Sequence, residues 1–519
     1  MGDANDGRPY EDDEEHGQDA EDQREEKVDV GAQAWIPRAT PRAHRVPLGR
    51  ESRLSVTVLS AVVSASADLP REILQWIEDV AGATVERADQ RPGGARKEAW
   101  FIDVRRADGE IDELFLRYDR GDPAARGDPW TLHREATVYL ALQDTYVPVP
   151  RVVAVHPTAQ AMLTVRLAGE NWFSRITDAG EQLAVAQDFM TRLAALHRLD
   201  PRALSLPGFP EPASVPDVVH HELDEWEHTI AARGGEPAPE LRFALGWLRD
   251  NIPDYEGPVV LVQGDTGPGN FMYADGKVIA IVDWELAHFG DPMDDIASLS
   301  LRAVQEPFTH LPDRLAEYRE LSGHAIDEER VHYYRVMAET KLLVMTHAPG
   351  GLRHRGAGDV GNSLIYRVLH RRLWLEAIAD VVGIEEQQAE VPPPSGEREV
   401  DWLYQHVLDE LRDVVAPRVS DPLALQRTKG VARVLKYLAE MQLHSAFFEQ
   451  RELDDIEGLL GRRPDSIEEG RAQVTTAMAD GTIADNDYLR YLWKCVAREN
   501  ELLRPASGVL ADRHWPPLH

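Results

Sequence analysis

Between Leu261 and Glu285 the chain reads Leu-Val-Gln-Gly-Asp-Thr-Gly-Pro-Gly-Asn-Phe-Met-Tyr, then Asp275-Gly276, then Val-Ile-Ala-Ile-Val-Asp-Trp-Glu. Two short apolar segments flank an Asp-Gly turn, which is a hairpin signal. Asp265 and Asn270 stand before the turn, and Asp283 ends the second segment. An acid, a carboxamide and a second acid are thereby gathered around one hairpin. Phosphoryl transfer needs this set: a carboxylate to accept a hydroxyl proton, and oxygen ligands for Mg²⁺. Magnesium takes few ligands from protein, so one Asn and one Asp suffice. Taken singly, each residue would read as a turn former in a Gly/Pro-rich loop. The ordered set between strands is what points to chemistry.

The elements that must hold these residues change character along the chain. Leu74, Trp76, Ile77 and Val80 recur at helical spacing. Alternating segments at Trp100–Arg105 and Glu113–Tyr118, joined through Asp108-Gly109, predict a hairpin. A helix near Leu132–Gln143 and a strand at Ala161–Leu167 follow. Beyond Gly169 the pattern is helical, at Gly180–His197, Val218–Arg233, Ala238–Asn251, Asp291–Ser300, Asp327–His347 and Gly361–Val382, with one strand-rich interruption at Val259–Val282. A small strand-rich lobe followed by a large helical lobe predicts an α+β, two-lobed fold. The expected boundaries are an acidic tail over 1–47, an N-lobe over 48–168, a helical lobe over 169–384, a Pro-rich linker over 385–399, and an all-α unit over 400–519.

The central segment resembles the catalytic and metal loops of the aminoglycoside phosphotransferase/choline kinase family, which has a protein-kinase-like fold. Gly264-Asp265 and Asn270 match its His-Gly-Asp-x-x-x-x-Asn pattern, with Gln263 in place of the His. Asp283-Trp284-Glu285 stands where kinases have Asp-Phe-Gly. Gly290-Asp291-Pro292-Met293-Asp294-Asp295-Ile296-Ala297 matches Gly-Asp-Pro-x-x-Asp-Leu-Ala, and Leu193–Asp200 resembles the helix end before the loop. The resemblance covers about residues 70–384. It implies that Asp265 is the catalytic base and that Asn270 and Asp283 hold Mg²⁺. It also implies that Asp291 and Asp295 brace the loop, and that His197 is scaffold.

For the nucleotide lobe the resemblance implies ATP contacts from Gly93, Gly94 and Lys97 in the phosphate loop. It places Arg117 on the strand that carries the family's phosphate lysine, with Glu135 on the next helix as its partner. The alternative for Lys97 is a solvated loop lysine. A Gly-Gly pair alone is a weak signal.

Composition limits the partners. The chain has 519 residues, 56 Lys+Arg and 90 Asp+Glu, for a formal charge of −34. Thirteen acids and three bases fall in residues 1–30, so −10 belongs to that stretch. Such acidity argues against sequence-independent binding to DNA or an anionic membrane. The single cysteine, Cys495, excludes an intramolecular disulfide and a cysteine-based zinc site. No secretory signal or spanning segment is read, and a cytoplasmic protein is expected, with a homo-oligomer left open.

Three functions fit. One is an ATP-dependent O-phosphotransferase of a small-molecule hydroxyl, with hydroxyacyl-CoA, aminoglycoside or macrolide as acceptor. Asp283–Ala287 and Asp224–Glu227 resemble the family branch that includes the kinase-like domains associated with acyl-CoA dehydrogenases, which favours the first acceptor. The second is a catalytically weak nucleotide-binding regulator, suggested by Gln263, Arg117 and the altered loop. The third is a scaffold acting through its tail and C-terminal helices. The C-terminal unit resembles a small helical domain that accompanies these phosphotransferases, an accessory to the acceptor site or a stability module.

Overall fold

The computed structural model describes residues 69–519, apart from 94–96, 122–126, 212, 235–236, 348–358, 394–397 and 399. The expectations for the acidic tail and for Gly94 lie outside the described residues. Helix α1 (Arg71–Ala81) buries Ile73 and Ile77 completely and stops at Gly82, whose φ of +61° suits the left-handed end of a helix. Five antiparallel strands follow: β1 (Thr84–Arg91), β2 (Glu98–Arg105), β3 (Ile111–Asp119), β4 (Val152–Val155) and β5 (Gln160–Val165). Their order in the sheet is β1-β2-β3-β5-β4. Alternate residues of β2, Trp100, Ile102 and Val104, face one core together with Leu114 and Leu116 of β3 and Leu163 of β5. Helix α2 (Leu132–Leu142), capped by Thr131 accepting from the Arg134 N–H, packs on β5 and carries Glu135.

The larger lobe begins with α3 (Ala179–His197), α4 (Val215–Arg233) and α5 (Pro239–Asp250). Four short strands interrupt the helices. β6 (Val260–Val262) pairs with β9 (His288–Gly290), and β7 (Phe271–Ala274) pairs with β8 (Lys277–Ile281). The β7–β8 turn is Asp275-Gly276, with φ of +50° and +72°. Positive φ at both positions is the geometry an Asp-Gly pair favours. Helix α6 (Pro292–Gln305) follows, with Asp291 accepting from the Met293 N–H as its cap and Pro292 in its first turn. Next come α7 (Leu311–Ser322), α8 (Glu328–Thr346) and α9 (Val360–Val382). A strand-rich lobe before a helical lobe is the arrangement expected.

The C-terminal helices are α10 (Asp401–Asp409), α11 (Pro422–Leu460), α12 (Ile467–Ala479) and α13 (Asp485–Ser507). They do not form a core of their own. Ile456, Val474, Leu489, Trp493 and Val496 belong to the same apolar cluster as Trp374 and Tyr334 of the larger lobe. Helix α9 approaches α11 so closely that a Cβ at Gly361 would meet the Gly430 carbonyl oxygen. Arg371 pairs with Glu499 at 2.8 Å, and Trp515 Nε1 donates to the Leu373 carbonyl at 2.9 Å. Cys495 sits on α13 beside Tyr491 and Glu452, packed against the shared core. No described helix is long and apolar enough to cross a membrane.

Candidate active site

Strand β6 ends at Val262, and the chain must turn immediately to bring Asp265 out of the sheet. Gly264 makes that turn at φ +81°, where a Cβ would meet the Leu286 carbonyl oxygen at 2.6 Å. Asp295 on α6 gathers the loop from below. Its carboxylate accepts from the Gln263 and Gly264 N–H groups at 2.9 Å each, from the Thr266 hydroxyl, and from His197 Nε2 at 2.9 Å. His197 Nδ1 in turn lies 2.6 Å from the Tyr318 hydroxyl. Burial works to raise the Asp295 carboxyl. The hydrogen bonds from His197, Thr266 and Gly264 outweigh it and hold the group below the usual carboxylate range. Asp295 thus braces the loop. Asp291 acts one step further back, capping α6 and pairing with Arg330 at 2.6 Å.

Gln263 reaches across the site. Its Nε2 donates to the Val282 carbonyl at 2.8 Å, tying the first loop to the second. The Val282 N–H donates to the Asn270 carbonyl at 2.9 Å, a second tie. Asn270 Nδ2 donates to the Asp265 carbonyl at 2.7 Å and to Asp265 Oδ2 at 2.6 Å. Asp283 follows Val282 with φ +62°, a conformation uncommon outside glycine, and its N–H donates to the Tyr139 hydroxyl at 3.1 Å. The hairpin therefore brings Asp265, Asn270 and Asp283 into one place.

The strand-rich lobe meets this place through ion pairs, in an order different from the expected one. Lys97 takes Glu135, at 2.9 Å, and also Glu285, at 2.7 Å. Its side chain is buried at 2% exposure, neither a solvated loop lysine nor open to a phosphate. Arg117, expected to pair with Glu135, instead lies 3.6 Å from Asp283. The short reach from β2 explains the exchange: Lys97 immediately precedes that strand and points at α2, while Arg117 on β3 extends to the Asp283 loop. Burial opposes the charge on Lys97, and Glu135 and Glu285 more than restore it, so its pKa is raised. Arg117 is likewise held charged by Asp283 and Glu135. Gly93 lies in the turn between β1 and β2, where a Cβ would be 3.2 Å from the Lys97 carbonyl oxygen.

Three carboxylates, Asp283, Glu285 and Glu135, thus face two cations. Burial pushes the Asp283 carboxyl up to about 7; Arg117 resists this, while Glu285 and Glu135 add to it. Asp283 Oδ1 and Glu135 Oε1 are buried and accept no hydrogen bond. A buried acceptor without a donor is costly unless something else meets it. The cluster is short of one positive charge, and its donor set is hard oxygen, which suits Mg²⁺.

Arg302 on α6 was not among the residues singled out from sequence. It lies seven positions after Asp295, two turns along the same helix face, and that spacing is the signal that could have found it. Ser298, between them, donates to the Gly264 carbonyl at 3.3 Å. Tyr139 and Glu285 also stand in the site, through the Asp283 N–H and Lys97 respectively.

Residues 88–334 match the family model described as "Phosphotransferase enzyme family". The chain is 27% identical over 213 residues to acyl-CoA dehydrogenase family member 11 of Rattus norvegicus, covering 39% of this chain and 27% of the relative. The Homo sapiens protein of the same name gives the same identity and coverage. The chain therefore spans about a quarter of the length of these relatives. Among solved structures, the macrolide 2'-phosphotransferase MphH from Brachybacterium faecium is 21% identical, with 56% of this chain and 96% of that chain covered and a TM-score of 0.40.

Proposed function

From the premise that this chain carries a domain of the phosphotransferase enzyme family over residues 88–334, we propose that it is an ATP- and Mg²⁺-dependent O-phosphotransferase acting on a small-molecule hydroxyl. The observation that carries the reading is the pairing of a tethered Asp265 with a hydrogen-bond-deficient Asp283 across one hairpin. Asp283 and Asn270 would hold the metal, which supplies positive charge to the phosphates when bound. Arg117 would meet the nucleotide phosphates, Lys97 would hold Glu135 and Glu285 behind it, and Gly93 lies in the turn between β1 and β2. Asp265 accepts the acceptor's hydroxyl proton as the new O–P bond forms and the bond to the ADP leaving group breaks.

The acceptor we favour is a hydroxyacyl-CoA. The support is the likeness to relatives named for acyl-CoA dehydrogenation, together with the segments around Trp226 and Trp284. The competing acceptors are an aminoglycoside and a macrolide. A weakly catalytic nucleotide-binding regulator is favoured by one observation: Arg117 already stands 3.6 Å from Asp283, where a metal must compete with it.

The test is ADP release from Mg-ATP across hydroxyacyl-CoAs, aminoglycosides and macrolides. Turnover that disappears in Asp265→Ala supports the enzyme. Nucleotide binding without any Asp265-dependent turnover transfers the protein to the regulator class.

A further inference from the structure

The two oxygens of the Asp265 carboxylate are treated differently by their neighbours. Oδ2 accepts from Asn270 Nδ2 at 2.6 Å and lies 3.7 Å from Arg302 Nη1. Among the described residues no hydrogen bond reaches Oδ1. A carboxylate pinned by one oxygen presents the other in a defined direction, and general-base catalysis depends on that direction.

Arg302 is itself rigidly placed. Nε and Nη2 both donate to the Pro268 carbonyl, at 2.9 and 2.7 Å, and Nη1 donates to Gln305 Oε1 at 3.4 Å. The loop is shaped around this side chain. Gly267 and Gly269 adopt φ of +139° and +89°; a Cβ on Gly267 would come 2.7 Å from Arg302 Cβ, and one on Gly269 would overlap Nη2. The Gly-Pro-Gly run thus leaves the space that the arginine fills.

The helix end that carries Arg302 is held from elsewhere. Arg513, close to the C-terminus, donates through Nη1 to the carbonyls of Val304 and Gln305 at 3.2 and 3.0 Å. These are the last turn of α6, where carbonyls lack helical partners.

We infer that Arg302 is a positioning residue for the base Asp265, orienting Oδ1 toward the acceptor hydroxyl, and that Arg513 fixes Arg302 by clamping the end of α6. This rests on the phosphotransferase reading above. It assigns the C-terminal segment a part in catalysis that needs no contact with substrate. Asp283 and the N-lobe lie outside the chain of contacts from Arg513 to Asp265; Asn270, the second metal ligand proposed above, borders it through its hydrogen bonds to Asp265.

The experiment compares Arg302→Gln, Arg302→Lys and Arg513→Gln with the wild-type full chain. ADP release is measured with hydroxybutyryl-CoA and, in parallel, with water as acceptor, and Mg-ATP affinity is measured by titration. For Arg302→Gln, kcat should fall on the order of 100-fold, the penalty of a reacting group displaced by about 1 Å. Mg-ATP affinity should stay within about twofold. Arg302→Lys restores the charge without the two-pronged grip on Pro268, and should recover part of the loss. Arg513→Gln should lower kcat by a smaller factor at unchanged Mg-ATP affinity. Wild-type kcat in Arg302→Gln overturns the inference, as does parallel loss of kcat and nucleotide binding. If Arg302→Gln does not fold, Arg513→Gln decides, and an unchanged kcat there overturns it. Absence of Asp265-dependent turnover in the wild type removes the phosphotransferase reading itself, an outcome distinct from a wild type that turns over and an Arg302 variant that matches it.

Discussion

A single buried carboxylate carries much of the site's geometry. Asp295 accepts four hydrogen bonds, two of them from loop amides. Asp295→Asn keeps the size but replaces one acceptor oxygen with a donor facing donors. Leaving buried partners unmatched costs about 1–3 kcal/mol per group, so the melting temperature should drop by several degrees in a thermal scan. Asp265→Ala, by contrast, removes a partly exposed group; ADP release should fall by about 10²–10⁴-fold with little change in melting temperature. At this scale the sequence was informative where a motif fixes order. Asp265, Asn270 and Asp283 were legible because three types recur around one turn. The partner of Glu135 was not, because Lys97 at the start of β2 and Arg117 on β3 are both long cations beside it and only register decides between them. Arg302 was missed because it lies on another element, 37 positions beyond Asp265.

At the scale of elements, β9 is the clearest case of a segment the pattern hides. His288, Phe289 and Gly290 are too short to show alternation, yet they pair with β6 and hold the loop that follows it. Strand β1 was hidden for another reason. It is an edge strand whose only buried residue is Ala88, so its charges obscure the period. His288 introduces a pH dependence. Its Nε2 lies 3.0 Å from Asp294 and 3.5 Å from Glu222, and Lys341 stands 3.7 Å from Glu222. Burial disfavours the imidazolium, but Glu222 and Asp294 overcome it and raise the pKa above 6.5. A raised folded value means the stabilisation is fully present below the ordinary histidine pKa and is lost as pH rises through the folded one. Melting temperature followed from about pH 6 to about pH 9 should therefore carry a downward contribution in the wild type. His288→Asn should lack that contribution; identical slopes for the two proteins would contradict it.

For the whole molecule, the C-terminal helices change what a deletion can mean. Sequence patterning marked residues 400–519 as a separate helical unit after a Pro-rich linker. The composition of the linker was legible, but the destination of the apolar faces was not, since periodicity shows that a face is buried without showing against what. Here α13 packs on α9 and α11, and its apolar residues join the large core. Removing 400–519 would uncover that face, so the truncated chain should aggregate rather than survive as a smaller enzyme. Differential scanning calorimetry of residues 31–519 should give one transition in which the lobes and the C-terminal helices melt together. Two resolved transitions would show that the helices are an independent unit. The acidity is also partitioned at this scale: −10 of the −34 lies in residues 1–30, and the remaining acids include the carboxylates of the site itself.

The lone thiol offers a chemical clock for this assembly. Burial, with Glu452 adding to it, pushes Cys495 up to about 12, so at neutral pH almost none of it is the thiolate that attacks an alkylating agent. The thiol is half-buried in the folded chain, so its low thiolate fraction slows labelling, and separation of the helices around it would both expose it and lower its pKa. A rise in the rate at which a maleimide appears on the protein, read by mass spectrometry as temperature or denaturant is increased, would therefore report the opening of that seam, residue-specifically and with no engineered probe.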